Sequence, residues 1–537
     1  MEHSMESQAL VRKRKKHHKS RNGCWTCKKR RVKCDEIKPS CQRCRRTGWV
    51  CRWDEPDTSR ARKVARLQVP ATLQLRLFST RRECICFDFF RGQTVHELSG
   101  WFTSYFWQSL VLQMTHEDAV VRRAAIALGA LHIEGAARRH PGGAFYALQY
   151  YGQSMSGLRH QLGRGKLMPV EADVCLTTCL LLTCFEVVRQ EFQSAQMHYE
   201  SGMKILQLCS SDSPEPETLR RQRQLPYYTR ALVEHFALLE IQIISFFEWK
   251  PNNPSIGWVY GRISDIEIPD AFHTIQEAKG NFALLKSTAL NRIMQETNAK
   301  NFPIYRVDLN DGLPTLPDIA TSNDDQPGSG DLGSLSMAVQ QVLERWYRAF
   351  EALMVALPPN LDAEQQRMAL VLRFLYIIFK IAMVRNPVRG EMSYDDLLPE
   401  FEDAIEQVRA ALALHDTQDA ERSSLFALGL GVIYPLFFIA VRCRHRTLRY
   451  RALNTLSLAP HREGFWDANS ATRVTRALVE LEEQDRVPGT VGPEGIWPEM
   501  RVMGVNCGIS HGHVAVIEVL RSFSKETLCI PLGDGEM

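Results

Sequence analysis

The sequence predicts a mostly α protein, with a small metal-stapled module near the N-terminus and a large all-α body behind it. Three observations carry that prediction. Six of the 15 cysteines crowd between Cys24 and Cys51 while the others are scattered, which is the clustering of a metal site rather than the spread of a disulfide scaffold. Residues 1–66 hold 21 Lys and Arg against 7 Asp and Glu, and the rest holds 45 against 54, so a net charge of +5 conceals a basic head on a mildly acidic body. From about Cys84 onward, apolar residues recur three and four positions apart, the period of an amphipathic helix. With 537 residues, 45% of them apolar, the chain can bury a large core and is neither collagenous nor disordered as a whole.

Residues 1–22 read as a basic disordered tail. MEHSMESQAL lacks the apolar run of a secretory signal peptide. Arg12 to Lys19 (RKRKKHHK) has the composition of a nuclear-import or nucleic-acid patch, which points to the nucleus.

The cysteine module spans residues 23–53. Cys24, Cys27, Cys34, Cys41, Cys44 and Cys51 are separated by two, six, six, two and six residues. Zinc takes four thiolates in a tetrahedron, so six sulfurs serve two zinc ions only if two of them are shared. Cys24-x-x-Cys27 with Cys34 repeats as Cys41-x-x-Cys44 with Cys51, and Pro39 turns the chain between the halves. By that symmetry the shared sulfurs are Cys24 and Cys41. The surrounding Lys and Arg offset an excess of about two negative charges on the cluster and help keep the thiols deprotonated. A segment this small has almost no apolar core, so metal supplies most of its folding energy, on the order of ten kcal/mol per structural zinc.

Between Cys27 and Cys34 stand Lys28, Lys29, Arg30, Arg31, Val32 and Lys33. So many cations on one short, metal-pinned helix make a DNA-facing arrangement, because Lys or Arg in the major groove can meet the O6 and N7 acceptors of guanine. Lys28, Lys29 and Lys33 are expected on phosphates, which set register rather than sequence. The second half offers only Arg45 and Arg46 before Thr47-Gly48-Trp49, a weaker reader suited to clamping the backbone. Trp25 and Trp49 are expected to cover the cluster rather than stack on bases.

Residues 54–83 read as a linker. No heptad persists there: Pro70 interrupts, and Leu73, Leu75 and Leu77 alternate with period two like an extended segment. The absent zipper leaves monomer binding and a homodimer paired through the helical body both open. Residues 84–537 are expected to be all-helical. The pattern runs through Ala119 to Ile133, Val174 to Val188, Thr229 to Phe247, Ser336 to Leu357, Ala363 to Val384 and Tyr394 to Leu414, then Arg473 to Gln484 and His513 to Phe523. Cys175, Cys179 and Cys184 read as small apolar fillers of a core helix. Leu425 to Val441 is apolar for a length at the short limit of a membrane span, but Pro435 and two glycines favour a buried core helix and no membrane contact. Residues 310–334 read as a disordered insert. Gly328, Gly330 and Gly333 fall there in a G-x-G-x-x-G spacing, with no preceding strand to make it a dinucleotide site. The chain lacks HExxH, G-x-S-x-G and Walker motifs, and His511 and His513 have only Cys507 nearby, so no enzyme is expected.

The stretch GCWTCKKRRVKCDEIKPSCQRCRRTGWVC resembles the fungal zinc binuclear cluster family, the two-zinc, six-cysteine transcription factors. It matches at every cysteine, at the basic first helix, at Lys33-Cys34-Asp35 and at Pro39. Looser similarity to the helical regulatory region of one branch of that family lies in Phe87 to Phe90, Leu98 to Phe106, Ala125 to His132, Pro435 to Arg451 and Arg462 to Asp467. The resemblance implies a small two-zinc six-cysteine DNA-binding module plus a large all-α regulatory domain. It implies metal ligation by Cys24, Cys27, Cys34, Cys41, Cys44 and Cys51, and double-stranded DNA as partner with a CGG-type half-site. Base contacts would come from Arg30 and Arg31, the third and fourth positions after the second cysteine, although many relatives carry Lys where Arg31 stands. It further implies a role in RNA polymerase II transcription with coactivator machinery as partner, and, in this branch, control of biosynthetic gene clusters.

Overall fold

In a computed structural model of the chain, the described residues are 22–30, 32–47, 51, 53, 77–137, 143–164, 167–211, 227–246, 256, 263, 266–296, 305–308, 329–358, 360–384, 389–419, 427–429, 431–459, 462–510, 514–521 and 524–531. They fall in two units, Met1–Ser79 and Thr80–Met537. The basic tail, the segment from Asp54 through Leu75, His511 and His513, and most of the insert expected at 310–334 lie outside the described residues.

The small unit has two five-residue helices, α1 (Trp25–Lys29) and α2 (Gln42–Arg46), each begun by a cysteine. The helical unit begins at Thr80, whose side chain and Glu83 form a reciprocal capping box on α3 (Arg81–Phe89). After a π-turn at Phe90–Thr94 come α4 (Val95–Ser99), a second π-turn at Phe106–Leu110, α5 (Val111–Glu117), α6 (Ala119–Ala137), α7 (Gly143–Leu162) and α8 (Pro169–Val188). Helix α6 packs against α3, α7 and α8. It approaches α3 so closely at Gly129 that an added Cβ would collide with the Cys86 carbonyl. Helix α8 is buried along most of its length, and Cys175, Cys179 and Cys184 are buried within it, as expected of core fillers.

The next layer holds α9 (Phe192–Ser211), α10 (Tyr227–Phe246), α11 (Ile275–Glu296), α12 (Ser329–Ala356) and α13 (Ala363–Ala382). Trp346 on α12 anchors it: fully buried, stacked on Phe350 at 5.3 Å, and donating its Nε1–H to the Ala278 carbonyl at 3.0 Å. Because α12 starts at Ser329, the last residues of the expected insert, including Gly330 and Gly333, belong to a helix instead.

Helices α14 (Leu398–Asp419), α15 (Ile433–Arg442), α16 (Arg446–Leu456) and α17 (Ala468–Gln484) complete the helical set, with the two-stranded turn β2 (Arg462–Glu463) and β3 (Trp466–Asp467) before α17. The apolar run Leu425 to Val441 yields a buried ten-residue helix, and no helix among the described residues is long and apolar enough to cross a membrane. Two arginines beyond it, Arg444 and Arg449, are buried. Arg444 bonds Glu391 at 2.8 Å and Glu482 at 3.1 Å, and Arg449 bonds Glu482 at 2.7 Å and Glu483 at 3.0 Å. Burial works against the Glu482 carboxylate, yet the Arg444 and Arg449 guanidiniums hold it down at about 2.

The unit is not all-helical. A four-stranded sheet runs in the order β1-β4-β5-β6, from β1 (Tyr305–Asp308), β4 (Gly504–Ser510), β5 (Val514–Leu520) and β6 (Lys525–Pro531). β1 pairs parallel to β4, and the last three strands are antiparallel. The helix expected at His513 to Phe523 is therefore a strand. A seven-residue apolar run fits either period, and its β-branched Val514, Val516, Ile517 and Val519, bounded by paired neighbours on both sides, favour the sheet.

Candidate metal centre and nucleic-acid interface

The six cysteines converge although 27 positions separate the first from the last. Cys24 caps α1, its Sγ accepting the Cys27 N–H at 3.4 Å, and Cys41 caps α2, its Sγ accepting the Cys44 N–H at 3.3 Å. The returning cysteines repeat the correspondence: Cys24 N–H donates to Cys34 Sγ at 3.4 Å and Cys41 N–H to Cys51 Sγ at 3.2 Å. The spacing symmetry of the sequence is thus a symmetry of hydrogen bonds. Such N–H···S bonds orient sulfurs and spread their negative charge.

The sulfurs form two four-membered groups. One is Cys24, Cys27, Cys34 and Cys41; the other is Cys24, Cys41, Cys44 and Cys51. Cys24 and Cys41 belong to both, with their Sγ atoms 3.8 Å apart. Cys27 Sγ lies 3.7 Å from Cys41 and 3.8 Å from Cys44, so the cage is continuous. A tetrahedral zinc with Zn–S near 2.3 Å places its sulfurs about 3.8 Å apart, so these residues fit the metal. Burial raises the thiols of Cys24 and Cys27, the latter to about 12, so thiolates here need strong positive charge beside them.

Among the described residues, the cage gains cover from a tryptophan that the sequence reading did not single out. Val32, Cys51 and Trp53 pack against it. Trp53 donates its indole N–H to the Pro39 carbonyl at 2.8 Å, tying the chain after the last cysteine to the bend between halves, where the Lys38–Pro39 peptide is cis. Trp25 is half-buried under the Lys29 ammonium, 4.9 Å from its ring, and Trp49 lies outside the described residues. An aromatic two positions past the final cysteine was the available signal for Trp53.

The cations do not all share one helix, which corrects the sequence expectation. α1 ends at Lys29, Arg30 is its C-cap, and Val32 N–H bonds back to the Cys27 carbonyl at 3.1 Å. The helix ends there because the chain must turn to bring Cys34 back to the cage. Lys28, Lys29 and Lys33 are exposed, as are Arg45 and Arg46 at the end of α2, while Arg31 lies outside the described residues. Half-buried Arg30 donates from Nη1 to Thr47 Oγ1 at 3.1 Å, and Thr47 Oγ1 donates to the Arg43 carbonyl at 2.8 Å, linking the two halves.

Comparison with known proteins adds the family. Residues 22–60 match the fungal Zn(2)-Cys(6) binuclear cluster domain, a domain that binds two zinc ions, and residues 86–242, from α3 into α10, match the fungal specific transcription factor domain. The chain is 24% identical to the aspercryptin biosynthesis cluster-specific transcription regulator atnN of Emericella nidulans, over 87% of this chain and 88% of that protein. Two further likenesses are short. Sterol uptake control protein 2 of Candida albicans is 58% identical over 8% of this chain and 6% of its own, and the Zn(2)-C6 fungal-type transcription factor afumD of Aspergillus fumigatus is 55% identical over 7% and 11%. No solved structure matches the chain. A cysteine cage shaped for two zinc ions, exposed lysines beside it and a helical body carrying the second domain place this chain among the fungal zinc binuclear cluster transcription factors, which bind DNA.

Proposed function

We propose that the protein acts in the nucleus as a sequence-specific regulator of RNA polymerase II genes, with its N-terminal cage reading DNA and its helical unit regulating that output. In this reading Cys24, Cys27, Cys34, Cys41, Cys44 and Cys51 hold two zinc ions, with Cys24 and Cys41 bridging both. The observation that carries it is the pair of four-sulfur groups intersecting at those two residues. Zinc supplies no reaction here; it fixes the two short helices so that their cations face a duplex. Lys28, Lys29 and Lys33 neutralise phosphates, while Arg30 and Arg31 meet the guanines of a CGG-type half-site in the major groove. The Arg30–Thr47 bond presets that guanidinium at the junction of the halves. Arg45 and Arg46 clamp the backbone from the second half.

The likeness to atnN along most of both chains supports control of a biosynthetic gene cluster as the biological setting. The protein is read as a non-enzyme that recruits coactivator machinery, as a monomer or as a homodimer paired through its helical unit. The test is zinc analysis of the purified full chain together with gel shifts on a CGG-containing duplex and a scrambled one. Two zinc ions per chain with preference for the CGG duplex support the reading; another stoichiometry or equal binding to both duplexes overturns it.

A further inference from the structure

The two helices of the small unit end at matching positions, and the residues at those ends touch. Each helix starts from a cysteine cap, and α1 ends on Arg30 as α2 ends on Thr47. Arg30 stands three positions after Cys27 and Thr47 three after Cys44, so the repeat of the cysteines makes them counterparts. Where the first half carries a guanidinium the second carries a hydroxyl, and Arg30 Nη1 donates to Thr47 Oγ1 at 3.1 Å.

The hydroxyl can serve as that acceptor because its hydrogen is committed elsewhere. Thr47 Oγ1 donates to the Arg43 carbonyl at 2.8 Å, with the Cys44 carbonyl at 3.4 Å. A hydroxyl has one hydrogen to give and two lone pairs to receive with, so the oxygen is left to accept from Arg30. Both carbonyls belong to α2, whose cap Cys41 and buried Cys44 are members of the cage. The Thr47 N–H also bonds the Cys44 carbonyl, at 3.2 Å. The acceptor is thus mounted on a cage-pinned helix. A guanidinium is planar and holds its donors in a rigid fork, so fixing one nitrogen restrains the plane of the whole group. An exposed hydrogen bond adds little to folding, but ordering an arginine before DNA arrives reduces the side-chain entropy lost on binding.

We propose that Thr47 is a specificity-determining residue that acts through Arg30. From the half that does not read bases, it positions the guanidinium that reads one base pair of the half-site. The second half therefore contributes to recognition beyond its contacts with phosphates. The inference rests on the role of Arg30 as a base contact, proposed above, and concerns the base pair that Arg30 meets.

The test measures the affinity of the zinc-loaded full chain by fluorescence anisotropy. The probes are a CGG duplex, three duplexes each with one base pair of that triplet replaced, and a scrambled duplex. Thr47→Val keeps the branching of the side chain and removes the acceptor. It should lower discrimination roughly threefold to tenfold, the worth of one hydrogen bond, at the base pair that Arg30→Ala also relaxes. The loss on the scrambled duplex should be much smaller, with zinc content as in the parent chain. Thr47→Ser, which keeps the hydroxyl, should restore most of the discrimination, and Thr47→Val should add nothing to Arg30→Ala.

Unchanged discrimination in Thr47→Val, an equal loss on every duplex, or a loss of the same size in the Arg30→Ala background would overturn the proposal. So would a Thr47→Ser chain as impaired as Thr47→Val. A parent chain that binds all duplexes alike, or an Arg30→Ala chain that discriminates like the parent, sinks the base-reading role and this proposal with it. A discriminating parent beside an equally discriminating Thr47→Val sinks this proposal alone. If Thr47→Val does not hold zinc, Thr47→Ala decides by the same criteria.

Discussion

Trp53 and Trp346 show how differently the two units are held together. Trp346 is fully buried among aromatic rings, and its indole N–H is satisfied by a carbonyl of another helix. Trp53 lies half-buried over a cage in which the buried hydrophobic side chains are cysteines. The helical unit is stable because apolar area leaves water, with a few buried charges matched in pairs. The small unit has too little such area, so its shape depends on a metal. One unit should survive what destroys the other.

Metal removal gives the sharpest break. Stripping zinc from the full chain with 1,10-phenanthroline should abolish sequence-specific DNA binding and unfold the segment around Cys24 to Cys51, a loss on the order of ten kcal/mol per zinc. The cooperative melting of the helical unit should remain, as followed by circular dichroism. DNA binding that persists after complete zinc removal, or joint melting of both units, would erase the distinction.

Inside the helical unit, the counterpart of a metal ligand is Glu482, which pairs with Arg444 and Arg449. Glu482→Gln should cost about 3–5 kcal/mol, because it leaves buried guanidiniums under-compensated. Its folded pKa lies below the unfolded carboxyl value of about 4.3, so its contribution is present above that pH and is lost as pH falls toward about 2. Urea midpoints measured from neutral to acid pH should fall more steeply for the parent chain than for the variant. Parallel curves would remove Glu482 from the ledger of acid sensitivity.

Trp346→Ala should destabilise the helical unit by about 3–5 kcal/mol without changing zinc content or DNA affinity. In the small unit, Arg31→Ala should relax base preference by about 1–3 kcal/mol, whereas Lys28→Ala should weaken specific and random duplexes alike. Equal losses on both duplexes for Arg31→Ala would exclude it as a base reader. The smallest effect expected is that of Trp53→Ala, about 1 kcal/mol on zinc-loaded stability, since the cage and not the indole fixes the fold. A loss as large as that of Trp346→Ala would show that the cage needs an apolar lid after all.

The cluster was legible because its chemistry is local: ligand number and spacing restrict how six thiols can meet tetrahedral ions. Helices such as α8 and α13 were legible for a similar reason, since each carries its own period. Trp53 was missed because its partner, the Pro39 carbonyl, is a backbone atom with no sequence signature. The strand at Val514–Leu520 was misread because seven apolar-rich residues satisfy two periods, and only β4 and β6 on either side select one. The buried pairing of Arg444 carried no local signal, because its partners Glu391 and Glu482 stand 53 and 38 positions away.

The chain's own order of residues thus determined the two-part plan, the gathering of the six cysteines and the sites of most helices, because spacing and periodicity act over a few turns. Tertiary structure alone decided where α1 stops, that Trp53 packs on the cage, and that the C-terminal segment pairs as a sheet. Each of those depends on partners distant in sequence, and burial turns their presence or absence into energy.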